Sequence, residues 1–310
     1  MWILTLVTAI ALPQAAICDD VAQHAHSPIT VRSRPVIERV PLKVVDPVDV
    51  IVTQFGDTLI ADKVGKVVFR VDSEHEVSIV GRDLTHLSRL ADSRMLGTHV
   101  LTAQPGSGRV VRITETGFQS DFLHLPFTPG GLAVDEVGNV WTSDSAAGKV
   151  FQYGSDGQRK LQVSLSESIL DLTLGVNGSV VALLQSGKLV TVFPNETSVP
   201  SGFVSSGTTR LNFHPEGFVV GLASDSDGKA MLVKAAADKD DVQRFAGLIQ
   251  GTSAVAFDKL GNLTLANPDL RAITRVTSHF EIPCPHCGTP VPMTFSPDAP
   301  ASQQATRRSF

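Results

Sequence analysis

The chain has 310 residues, 42% of them apolar and 18% charged, and a formal net charge of -5 at pH 7. Such a composition excludes a disordered chain. Basic residues adjoin only as the pairs Arg159-Lys160 and Arg307-Arg308, so there is no basic stripe of the kind that tracks phosphates, and nucleic acid is not an expected partner.

The first element is an uncharged apolar run, Trp2 to Leu12 (WILTLVTAIAL), followed by the small residues Ala15 and Ala16. It falls short of the roughly 20 apolar residues that span a bilayer and reads as a signal peptide over residues 1–18, cut after Cys18 or after Ala16. Ile17 is a poor neighbour for lipid attachment at Cys18. The expectation is a secreted or periplasmic protein with no transmembrane segment in its mature chain. Residues 19–34 are polar and read as a linker. Residues 35–45 (PVIERVPLKVV) alternate as a strand and are expected to close the last unit of the fold, beside the strand around Phe280.

Six segments of one pattern follow: DVIVTQFGDTLIAD, ADSRMLGTHVLTA, LAVDEVGNVWTSD, LDLTLGVNGSVVAL, LNFHPEGFVVGLA and AVAFDKLGNLTLAN. Each is an apolar strand, a glycine turn and a second apolar strand. The turn glycines Gly56, Gly97, Gly138, Gly178, Gly217 and Gly261 recur at intervals of about 40 residues. Glycine there allows the positive φ of a tight hairpin. Further turns (DKVGK, QPGSGR, SDSAAGK, QSGK, DSDGK, NPDLR) lead to a third strand, and a weaker fourth follows, as in EVSIV, FLHL and KLQVSL. Strands alone at this period predict an all-β fold, a six-bladed β-propeller of four-stranded antiparallel blades over residues 35–282. No stretch offers the helix of about ten residues that a parallel crossover needs.

The third unit resembles the NHL repeat: Asp135, then Gly138-Asn139, two apolar positions, and Ser143-Asp144. Asp62 in the first unit and Asp258, Gly261-Asn262 and Asn267 in the sixth follow it. The other units depart from it, with Ala103, Leu184 and Ala223 in place of the acidic residue. The wider resemblance is to gluconolactonase-like six-bladed hydrolases, which hold calcium on oxygen ligands at the channel top. That resemblance implies a calcium site built on Asp62, Asp144 and Asn267 where the second strands end. The residues themselves also fit a plainer role, accepting hydrogen bonds from the next turn.

Among the nine histidines no pair has the i, i+4 spacing of a helical zinc site, and only His99 falls on a strand that borders a channel. No nucleophile elbow and no P-loop occur. Beyond the leader there is one Trp (Trp141) and one Tyr (Tyr153), few rings for stacking sugars.

Residues 283–310 read as a tail with one short motif, Cys284-Pro-His-Cys287. It is half of a zinc ribbon without a second knuckle. A Cys284–Cys287 disulfide, a zinc ion shared between two chains and free thiols all remain open. The leading expectation is an exported scaffold that binds another protein or an envelope component. A calcium-dependent lactonase or esterase-like hydrolase is the alternative.

Overall fold

The computed structural model describes residues 29–31, 36–93, 99–277, 279–283 and 290–295. Its contacts divide the chain into two units, residues 34–279 and a second unit of residues 1–33 and 280–310.

The larger unit is the six-bladed propeller. Strands a to d of each blade run from the axis outward. Blade 1 is Pro47–Val52, Thr58–Asp62, Val67–Val71 and Val77–Gly81; blade 2 is Arg89–Ser93, His99–Gln104, Arg109–Ile113 and Gln119–His124. Blade 3 is Pro129–Val134, Val140–Asp144, Lys149–Tyr153 and Arg159–Ser164; blade 4 is Ile169–Leu174, Val180–Leu184, Lys188–Val192 and Ser198–Phe203. Blade 5 is Thr208–Phe213, Val219–Ser224, Ala230–Lys234 and Gln243–Gly247. Every paired neighbour within these blades is antiparallel. The a strands touch in a closed ring, with blade 6 against blade 1.

Blade 6 takes its a, b and c strands from Ala254–Phe257, Leu263–Asn267 and Ala272–Thr277, and its d strand from Val36–Arg39. The N-terminal strand thus closes the ring. Its partner is Ala272–Thr277, with Ile37 opposite Val276, rather than the strand around Phe280. The physical reason is that blade 6 lacks only its outermost strand, and the free edge belongs to its third. Val40, Leu42 and Val44 follow the closing strand and are buried with Val50, Ile60 and Ile273, which ties blade 6 to blade 1.

A blade is apolar on both faces, so the core lies between blades. Six apolar clusters, one per interface, fill those gaps among the described residues. Trp141, fully buried, belongs to the cluster between blades 3 and 4. Each buried Leu or Ile there stabilises the ring by about 1.5–3 kcal/mol.

The D-x-x-G-N sequence is a hairpin device. In blade 3, Asp135 Oδ1 accepts the N–H groups of Val137 and Asn139, while Oδ2 accepts Asn139 Nδ2 and Trp141 Nε1. In blade 6, Asp258 binds Leu260, Asn262 N and Asn262 Nδ2 in the same way. Gly138 and Gly261 both take φ 82° at the same turn. The resemblance seen in the sequence is therefore a record of turn chemistry.

In the second unit Ile29–Val31 pairs in parallel with Pro290–Phe295, Thr30 lying opposite Thr294, and His279–Pro283 completes a three-stranded sheet. The first two strands arise in stretches that read as linker and tail. Short runs rich in β-branched and apolar residues (ITV, PVPMTF) are enough for strand pairing.

Candidate functional site

The ring of a strands encloses a cavity of about 1040 Å³. Its lining begins on each blade at Asp49, Arg89, Leu132, Asp171, Arg210 and Ala254, runs along the a strands toward the a–b turns, and takes in Ser73 of blade 1 and Thr264, Arg275 and Thr277 of blade 6. The cavity therefore opens on the face of the a–b turns. At its inner end stand four charged side chains, Asp49, Arg89, Asp171 and Arg210.

These four form a floor across the axis. Arg89 of blade 2 meets Asp171 of blade 4 at 2.6 Å and lies 4.0 Å from Asp49 of blade 1. Arg210 of blade 5 lies 3.7 Å from Asp49 and donates to the carbonyls of Val48 in blade 1 (3.1 Å) and Ser88 in blade 2 (3.4 Å). Each aspartate also accepts a backbone N–H from the next blade: Leu90 to Asp49 and Leu211 to Asp171, both at 2.7 Å. The carboxylates are thus fixed by the ring closure itself.

The aspartates are almost inaccessible, while Arg89 and Arg210 keep 13% and 18% of their side-chain surface exposed. Burial pushes both carboxyls up to about 6, against the opposing pull of Arg89 and the backbone N–H donors. A buried charge is retained only when paired, and here each carboxylate has a guanidinium within 4 Å.

At the other end, the a–b turns of blades 1, 3 and 4 present Phe55, Val137 and Val176, each exposing more than half its surface.

The residues singled out in the sequence sit elsewhere. Asp62, Asp144 and Asn267 end the b strands of three different blades, and none lines the cavity. The sequence puts the channel mouth on the face where b strands end; the cavity opens on the face where they begin. Asp62, buried, accepts N–H groups from Val45, Asp46 and Gly65 and so pins the segment leading from the closing strand into blade 1. Asp144 accepts Ala147 N. Asn267 donates to Gln250 O and accepts Leu270 N. Among the described residues no three His, Cys, Asp or Glu side chains form a group able to hold a metal ion. Trp141 and Tyr153 are buried. His99 lies on the b strand of blade 2. Cys284 and Cys287 lie outside the described residues.

The sequence carries only a faint signal of the floor charges. Asp49 and Asp171 interrupt the apolar runs VDV and LDL, and Arg89 and Arg210 precede Leu in SRL and TRL, each pair three repeats apart. A charge in the innermost strand of a propeller has only the axis or a blade interface to occupy.

No family model and no curated protein sequence matches the chain. Solved structures do, at low identity. A streptogramin B lyase superposes with a TM-score of 0.61 at 10% identity, over 79% of this chain and 98% of that one. A virginiamycin B lyase from Staphylococcus aureus gives 0.60 at 12%, over 79% and 99%. A gluconolactonase from Xanthomonas campestris gives 0.59 at 12%, over 81% and 96%. Likeness at this identity shows the fold, and the neighbours carry more than one chemistry on it.

Proposed function

We propose that this chain is an exported binding scaffold that docks another protein or an envelope component on the face of the a–b turns. The observation that carries this reading is the exposed apolar tips Phe55, Val137 and Val176 on the a–b turns of three blades, two of them, Phe55 and Val176, lining a cavity whose far end is closed by paired charges. Interface centres favour apolar and aromatic anchors on a rigid support, and a propeller blade is such a support.

The test is substitution by charge on each face. Phe55→Asp with Val176→Asp should abolish association with the partner in the native envelope. Val64→Asp with Leu270→Asp, at exposed apolar sites on the b–c turns of the other face, should leave it intact. Equal loss from both pairs, or from neither, contradicts the reading.

A calcium-dependent hydrolase is the second reading, favoured by the shared register of Asp62, Asp144 and Asn267 at the ends of their b strands. The scaffold reading is preferred because a cation would compete with backbone N–H groups for the oxygens of all three. Measuring calcium in the purified full chain separates the two: a stoichiometric ion lost in Asp62→Asn supports the hydrolase.

A further inference from the structure

The floor of the cavity is more than a plug. Both aspartates and both arginines line it, and the guanidinium groups are its more exposed part: Arg89 and Arg210 keep 13% and 18% of their side-chain surface, Asp49 and Asp171 8% and 2%. A guanidinium has five N–H donors in a planar fork. The acceptors of Arg210 are two backbone carbonyls and, at 3.7 Å, Asp49; those of Arg89 are Asp171 and, at 4.0 Å, Asp49. Donors are left over on both. The walls above them carry the half-buried Val52, Leu174 and Phe213, and Phe55 stands at the mouth. The volume, about 1040 Å³, is at the upper end of the range for small-molecule pockets.

We infer that this cavity binds a small organic anion with an apolar body, its acidic group held by Arg89 and Arg210 and its body against the apolar walls and Phe55. Arginine pairs suit carboxylate and sulfonate groups because the fork matches two acceptor oxygens at once. The other charges that line the cavity are Asp92, Asp135, Glu136, Asp258, Lys259 and Arg275. Asp135 and Asp258 are committed to their turns, and Arg275 donates to Thr58. This inference goes beyond the docking face and stands apart from it: a partner at the rim requires no ligand in the cavity.

The experiment uses the full chain and two fluorescent probes, 8-anilinonaphthalene-1-sulfonate and its uncharged relative N-phenyl-1-naphthylamine. The anionic probe should bind saturably at one site per chain. Arg210→Gln should weaken it by about tenfold, the size of one charge-assisted hydrogen bond, while shifting the neutral probe by about twofold at most. Asp49→Asn keeps an acceptor for Leu90 N–H and removes a negative charge, so it should tighten the anionic probe several-fold. That second variant leaves both arginines in place and decides the matter if Arg210→Gln fails to fold, as judged by its thermal transition. Phe55→Ala should weaken both probes. The inference is overturned if no saturable binding occurs, if Arg210→Gln weakens both probes alike, or if Asp49→Asn leaves the anionic probe unchanged or weaker.

Discussion

Arg89, on the inner strand of blade 2, holds Asp171 of blade 4 at 2.6 Å, so the pair bridges two blades that are not neighbours. Blade 3 lies between them, and its inner strand carries Gly131. A Cβ on Gly131 would sit 2.5 Å from Leu172 N, so blades 3 and 4 approach here more closely than any side chain allows. That close approach shortens the gap that the arginine spans.

Gly131→Ala should therefore destabilise the propeller by about 1–3 kcal/mol, because the obstacle is backbone and cannot swing aside. Urea unfolding followed by Trp141 fluorescence measures it. A change within experimental error would mean that blades 3 and 4 are free to spread.

Asp49 and Asp171 set a pH dependence. Their carboxyls rise from 3.8 to about 6 on folding. A group that holds its proton more tightly in the folded state contributes stability that is fully present below 3.8 and lost as pH rises through about 6. Relative to Asp49→Asn/Asp171→Asn, the wild-type chain should gain stability as pH falls from about 7.5 to about 4. A relative loss over that window would show that the arginines hold both carboxyls ionised.

Asp135→Ala should cost about 2–4 kcal/mol, since it strips a buried turn of its acceptor and leaves Trp141 Nε1 unpaired. The indole emission should shift as its hydrogen bond is lost. Asp156→Ala, at an exposed turn of the same blade with one bond to Gln158 N, should cost well under about 1 kcal/mol.

Val40→Asp tests the closure. Val40 is buried where the closing strand turns inward, against Ile273 and Val50. A charge there should cost about 3 kcal/mol or more and unfold the chain in a single transition, because a ring opened at one interface loses support at its neighbours. Survival of a folded blade 3 with blade 6 melted would contradict a cooperative ring.

What the sequence makes legible here is what is local. The glycine and Asp-x-x-Gly-Asn turns close within five residues, so their spacing exposes the blades and their number. The closing strand is visible by its alternation, but its partner depends on which edge remains free once blade 6 has formed. The floor of Asp49, Arg89, Asp171 and Arg210 is a product of ring closure. Its ion pairs join different blades, residues about 40 to about 160 positions apart, and only their three-repeat spacing hints at it. Asp62 and Asn267 stood out for sharing a register, and in the structure that register serves hydrogen bonds to nearby turns and connecting segments.

The docking of a partner on the a–b turn face, proposed above, has a direct test. A photoreactive residue placed at position 55 or 176, and in separate chains at 64 or 270, is irradiated in cells of the native host. The account predicts one adduct of a single defined mass from 55 and 176 and none from 64 and 270. Adducts from 64 and 270 alone would move the docking face to the opposite side and contradict it.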